Sequence, residues 1–456
     1  MKKQVFALLA LLVVVSMIIS ACGATAVPTA EPTEAVAAPT EAPTEAVAAP
    51  TEAVAAPTEA PTAEAGPTAT ATLPPVGQAG VITIWSQWTG DYVPAINKAL
   101  NDCAAPLGLT VDTPVMTTGA ADALAVAIPA GEGPDMIGWA NDAIGKYALA
   151  GSIIDLGTLG VDQAFLDSTY EPAAVKGVVW QDMIWALPES QEAIALVYNK
   201  ALVTDKYLPT DPLDFEDLLA KATAFATDNP GKYLVCSQGL GAADPYHEAP
   251  VFFGHGVPSY VDDAGNVYLN TPEALAAGEW ILKFKDVSPA EASYDICKAG
   301  LVDGKFGMWW TGPWAIADLE KAGVDYGIIP MGKPFVGIKT LMITSNAVDR
   351  GTAEQALEIM KCFTSADVQK TVALANKTIP ANSAALKDPE IQALYTLAQF
   401  GASAELGVPM ANTPYADAQW GPVGDAVQAI WTGSQTPAEA LAAAQTTIEA
   451  KIAEMK

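Results

Sequence analysis

The stretch Gly307-Met308-Trp309-Trp310-Thr311-Gly312-Pro313-Trp314 puts three tryptophans into six residues and breaks the run with Gly-Pro before the last. Side chains alternate along an extended strand, so Phe306, Met308 and Trp310 share one face and Trp309 takes the other. The Trp309/Trp310 pair is therefore expected in a core or at its rim. Gly312 and Pro313 end the strand and turn the chain, which frees Trp314 to project elsewhere.

Similar strand-then-turn punctuation recurs along the chain. Val81-Ile82-Thr83-Ile84-Trp85 is a β-rich run, followed by a Gly90-Asp91 turn and a helical pattern through Ala95, Ile96 and Leu100. Thr352 with Gln355 reads as a capping box ahead of the apolar stripe Ala356, Ile359, Met360 and Phe363. Thr436-Pro437-Ala438-Glu439 repeats the pattern with proline at the first helical position, and Thr271-Pro272-Glu273 does so again. Short strands alternating with capped helices predict an α/β architecture. About 375 residues follow Val81, enough for two domains of ordinary size.

Upstream of that body the composition changes twice. Lys2 and Lys3 precede an apolar run from Val5 to Ile19 that is short for a membrane span. Residues 1–22 read as an export signal, and Ile19-Ser20-Ala21-Cys22 resembles the lipobox in which a bacterial lipoprotein's cysteine is acylated. The plain alternative is a secretory peptide in which Cys22 is incidental. Residues 23–79 are dominated by Ala, Pro, Thr, Glu and Val in recurring APTEAVA and APTEAPT units, a composition too poor in large apolar side chains to build a core. Such a tether spans ~40 Å if coiled and ~170 Å if fully extended. The expected location is extracytoplasmic, on a lipid anchor at the cell membrane.

The formal charge is −29, from 23 basic and 52 acidic side chains, which repels phosphate backbones and excludes nucleic acid as a partner. Catalytic signatures are missing. There are two histidines, His247 and His255, and no HExxH, GxSxG, Walker A or strand-opening GxGxxG motif. Acid pairs such as Asp142 with Glu192 are inevitable among so many carboxylates, so they do not by themselves argue for a glycoside hydrolase. No cofactor or metal is expected, and no CxxC occurs. Beyond Cys22 the cysteines are Cys103, Cys236, Cys297 and Cys362, which allow two disulfides in three pairings. The abundant residues are aromatic: 11 Trp and 13 Tyr, many beside Gly, Pro or Asp at element ends. A pyranose suits such a lining, because its C–H face packs on a ring while its hydroxyls require polar partners once water is excluded.

Several ordered segments are similar to the maltose/maltodextrin-binding proteins, the sugar-binding components of ABC importers. They are Gly131-Glu132-Gly133-Pro134-Asp135-Met136-Ile137 through Trp139-Ala140-Asn141-Asp142 and Gly145-Lys146-Tyr147-Ala148; Leu187-Pro188-Glu189-Ser190 through Leu196-Val197-Tyr198-Asn199-Lys200; Gly304 to Trp314; Lys333-Pro334-Phe335-Val336-Gly337; and the C-terminal helix from Thr436. The resemblance covers nearly everything after residue 80. It implies a two-lobed type II periplasmic-binding-protein fold, each lobe discontinuous in sequence, with the ligand cleft between them: one lobe from about 80–190 plus 336–385, the other from about 191–335 plus 386–456.

Carried over by position, it implies Asp91, Trp139, Asp142 and Glu192 at the cleft from the first side, faced by Asp244, Tyr246, Trp314 and Trp420. Trp139, Tyr246, Trp314 and Trp420 would be stacking platforms, and the four carboxylates hydroxyl acceptors. Trp88 would add a further stacking surface. The resemblance also sorts the cysteines, Cys103 and Cys362 into one lobe and Cys236 and Cys297 into the other. Partners implied are an oligosaccharide and ABC permease subunits, with the protein a monomer and no enzyme.

Departures from the family pattern weaken the case for maltose itself. Tyr92 stands where the family has lysine, Ala143 and Gly424 where it has arginine, and the paired glutamates expected near Gly119-Ala120-Ala121-Asp122-Ala123 are missing. Maltodextrin, trehalose, another α-glucoside or a different oligosaccharide stay open. Two other classes remain: an extracellular glycosidase using two acids, which would turn sugar over, and a carbohydrate-sensing or adhesive module, which would bind without transport.

Overall fold

The computed structural model describes residues 73–114, 120–241 and 243–456. The expected export signal, Cys22 and the expected tether as far as residue 72 lie outside the described residues. Thirteen strands are described: β1 (Val81–Ser86), β2 (Thr110–Asp112), β3 (Met136–Ala140), β4 (Val179–Trp180), β5 (Met183–Ile184), β6 (Leu187–Glu192), β7 (Ala195–Asn199), β8 (Tyr233–Ser237), β9 (Phe306–Thr311), β10 (Tyr326–Ile329), β11 (Phe335–Ile343), β12 (Ile379–Pro380) and β13 (Val408–Pro409).

They build two main sheets and a small β4–β5 hairpin. The larger sheet runs β12-β6-β11-β3-β1-β2, with β13 joined to β11; the smaller runs β10-β7-β9-β8. In the larger sheet β1 is parallel to β2 and β3, while β11 is antiparallel to both β3 and β6. Strands β7 and β6 are separated only by Ala193-Ile194, so the chain passes directly from one sheet to the other there, and it returns between β10 and β11. Because β6 and β11 are paired, Gly337 opposite Glu192, the two crossing strands support each other at the junction.

Each sheet anchors its own lobe. Ile84, Trp85, Met136, Leu341 and Met360 lie in the first lobe's core. The second sheet is covered on both faces: Met308 and Trp310 pack with Phe252, Phe253 and Trp280, while Trp309 packs with Ala315, Ile316 and Phe400. Both Trp309 and Trp310 are fully buried, on opposite faces as the alternation predicts. Phe306 departs from that alternation and joins the Trp309 side; as the first residue of β9 it lies over Gly300, where a Cβ would sit 2.1 Å from the Phe306 ring. Cys103–Cys362 joins the helices Val93–Ala104 and Ala353–Phe363 in the first lobe, and Cys236–Cys297 joins β8 to the helix Tyr294–Val302 in the second.

Two caps follow the sequence and one does not. Thr436 and Glu439 form the reciprocal capping box of the helix Pro437–Met455, and Thr271 accepts from the Ala274 amide. Thr352 makes no cap; its hydroxyl donates instead to Asp135 Oδ1 at 2.7 Å. The fully buried Asp135 also accepts from Arg350 and from the Thr83 amide, and satisfying a buried carboxylate outweighs one helix cap.

Candidate functional site

A cavity of about 430 Å³ opens between the lobes. Its walls include Trp139, Asp142, Glu192, Tyr246, Trp314 and Trp420, which arrive from five separate places in the chain. Trp139 stands on β3 and Asp142 in the turn just after it, at the carboxyl end of a strand parallel to its neighbour, where α/β sheets open crevices. Glu192 ends β6 at the crossing. Tyr246 sits in the first turn of the helix Pro245–Gly254, and Trp420 opens the helix Trp420–Thr432.

Trp314 follows β9 in a short 3-10 turn that starts at Pro313. A Cβ on Gly312 would lie 2.2 Å from the Trp314 ring, so only glycine lets that ring fold back over the turn. There Trp314 touches the apolar clusters of both lobes and stands 6.2 Å from Tyr246, ring centre to ring centre. Tyr246 in turn stacks on Phe335 at 6.1 Å, and Phe335 packs against Trp420 at 5.7 Å. These contacts link three of the four aromatic walls into one surface.

Three of the expected contacts are placed elsewhere. Trp88 is 5% exposed, packs on Phe363 and donates its indole N–H to Glu189 Oε2 at 3.1 Å, inside the first lobe rather than on the cavity wall. Asp91 pairs with Lys321 at 2.7 Å and its amide donates to Asp318, both in the helix Ile316–Lys321 of the other lobe, so it bridges the lobes at the margin. Asp244 caps the helix Pro245–Gly254, and its Oδ2 lies 2.7 Å from His247 Nδ1. Aspartate is a favoured N-cap residue, and this carboxylate is held at its own helix end.

The wall also contains residues for which the sequence suggested no contact role, chiefly Tyr92, Lys146, Tyr147, Tyr294, Lys339 and Asp417. Lys146 and Asp417 form a 3.0 Å ion pair from opposite lobes. Beside them the half-buried Asp142 carboxyl is raised to about 7, first by burial and second by the Asp417 charge, with Trp420 and Lys146 pulling the other way. Tyr92 donates its hydroxyl to Glu189 Oε1 at 2.7 Å. Burial raises Glu189 to about 7 and raises Glu192 as well, each opposed by the charge of Lys339. Lys339 was detectable: it is the one charged residue of FVGIKTLMI, and a lysine inside an apolar central strand needs a partner or a cavity.

Close backbone contact holds the lobes at this site. A Cβ on Gly145 would lie 2.2 Å from the Thr413 carbonyl carbon and from the Pro414 nitrogen, so glycine permits the contact. Asn141 donates to the Met410 carbonyl at 2.9 Å nearby. Among the described residues no group of three or more His, Cys, Asp or Glu side chains is arranged to hold a metal.

A family model described as bacterial extracellular solute-binding protein matches residues 98–399. The maltotriose-binding protein of Pyrococcus abyssi is 28% identical over 324 residues, 68% of this chain and 68% of that protein. The galactooligosaccharide-binding protein of Bacillus subtilis is 25% identical over 346 residues, 71% of this chain and 78% of that protein. In structure, the maltose/maltodextrin-binding domain of Bdellovibrio bacteriovorus bound to maltotriose superposes with a TM-score of 0.73 at 24% identity, covering 82% of this chain and 99% of that one.

Proposed function

This chain belongs to the bacterial extracellular solute-binding protein family, and we propose that it is a receptor for a neutral oligosaccharide of the maltodextrin kind, working by lobe closure. The carrying observation is that Trp139, Tyr246, Trp314 and Trp420 line one cavity together with Asp142 and Glu192. Rings supply flat apolar faces for sugar C–H groups, and the carboxylates accept from hydroxyls that have lost water. The names of the relatives support the ligand class: one binds maltotriose and another galactooligosaccharides.

In this reading the lobes comprise about 80–190 with 336–385, and about 191–335 with 386–456. A ligand touching both favours the closed arrangement by its differential contacts, because it satisfies both walls only when they approach. The monomeric receptor is held outside the membrane by acylated Cys22 through the 23–79 tether, docks closed on a permease and releases the sugar for import.

Calorimetry of residues 80–456 against glucose, maltose, maltotriose, trehalose and a galactooligosaccharide tests it, with the recovered sugar analysed by mass. Saturable binding in the micromolar range or tighter, about −8 kcal/mol or better, with the sugar intact, is the expected result. No binding across the panel refutes the ligand class. Shortened sugar establishes the glycosidase instead.

A further inference from the structure

Lys339 occupies an unusual position. It lies in β11, the strand between β6 and β3 in the middle of the larger sheet, and its side chain is 15% exposed. Gly337 and Lys339 lie on the same face of β11 as Glu192 and Ser190, their partners on β6, so Lys339 and Glu192 are diagonal neighbours across the two strands. The ammonium stands 3.5 Å from Glu192 Oε2, 4.8 Å from the Tyr92 ring centre and 5.6 Å from that of Trp314.

An ammonium has three protons to donate and no acceptor capacity. Among the described residues its one polar contact is the long approach to Glu192, while the two rings offer only their quadrupoles. Water in the cavity can meet the remaining donors, and a ligand that displaces it has to supply acceptors in its place. The other lysine on the cavity wall, Lys146, is committed to Asp417 at 3.0 Å. The cavity thus presents a donor with spare capacity beside an acceptor, next to the Trp314 ring.

We propose that Lys339 is a specificity-determining ligand contact, gripping with Glu192 two hydroxyls on adjacent carbons of a sugar ring that rests against Trp314. One hydroxyl oxygen accepts from the ammonium and its neighbour donates to the carboxylate. The 3.5 Å separation of donor and acceptor suits that pairing. A neutral sugar fits better than an acidic one, since a further carboxylate would be crowded against Asp142, Glu192 and Asp417 on the same wall. This deepens the oligosaccharide reading and rests on it.

The test uses calorimetry on wild type, Lys339→Met and Lys339→Gln, against maltotriose and a set of its monodeoxy analogues, with thermal melts to establish folding. Methionine keeps the volume and removes the donors, so maltotriose affinity falls roughly 10- to 100-fold. Glutamine restores two N–H donors on a shorter, uncharged stem and recovers part of that loss. One monodeoxy analogue, lacking the gripped hydroxyl, binds wild type and Lys339→Met equally. A methionine variant with wild-type affinity for every analogue overturns the assignment of Lys339 alone, as does a uniform loss with no change in discrimination. Should methionine prevent folding, equal discrimination by wild type and the glutamine variant overturns it. Wild type that binds no oligosaccharide overturns the parent reading, and this one with it.

Discussion

Asp142→Asn probes the electrostatics of the cavity wall. Burial, and next the Asp417 carboxylate, move the Asp142 carboxyl from 3.8 to about 7. A carboxyl with a raised folded value binds its proton more tightly in the folded chain, so folding takes up a proton between about pH 4 and about pH 7. Stability therefore falls as pH rises through that window, and the whole penalty is present above it. From about pH 5 to about pH 8 the chain crosses roughly two units of the window at about 1.4 kcal/mol each; screening by water in the cavity reduces the sum to about 2 kcal/mol. Asparagine keeps the shape without the charge and removes this dependence.

The assay is urea unfolding of both proteins across that pH range. The stability of wild type relative to the variant should be about 2 kcal/mol greater at the acid end. Glu189, also raised to about 7, is present in both proteins and cancels from the difference. Asp417→Asn removes the second cause and should shrink the wild-type slope. A wild-type-minus-variant difference that is flat with pH, or that grows toward alkali, refutes the reasoning.

Two tryptophans should separate binding from stability. Trp314→Ala is expected to lower oligosaccharide affinity at least tenfold in calorimetry while the chain still unfolds cooperatively, whereas Trp88→Ala should cost about 3–5 kcal/mol in urea melts, because that ring is packed against Phe363 inside the first lobe. Gly145→Ala brings a methyl against the Thr413–Pro414 backbone and should widen the angle between the lobes, read as a larger radius of gyration in small-angle scattering with sugar present; an unchanged radius would show that the contact yields. Serine replacement of Cys236 and Cys297 opens a loop of 61 residues and should cost about 4 kcal/mol, and replacement of Cys103 and Cys362, 259 apart, about 5–6 kcal/mol, as upper values from chain entropy; equal denaturation midpoints for wild type and variants would contradict this.

The α/β layering could be read from local pattern alone, since strand alternation and helix caps are set by neighbours a few residues apart. That is why Trp309 and Trp310 were correctly placed on opposite faces and why the Thr436 cap holds. Thr352 shows the limit of that logic: its hydroxyl turned to the buried Asp135, 217 residues away, which no local rule anticipates.

The same limit governs the site. Sequence alone determined the elements, the aromatic richness and the acidic surface, because those depend on composition and short-range spacing. Tertiary structure decided which polar groups remain free to meet a ligand. Asp91 is engaged by Lys321, Asp244 by His247 and Trp88 by Glu189, while Lys339, concealed in an apolar strand, reaches the cavity. A charged or hydrogen-bonding side chain takes whichever partner the fold brings near, and those partners arrive from distant parts of the chain.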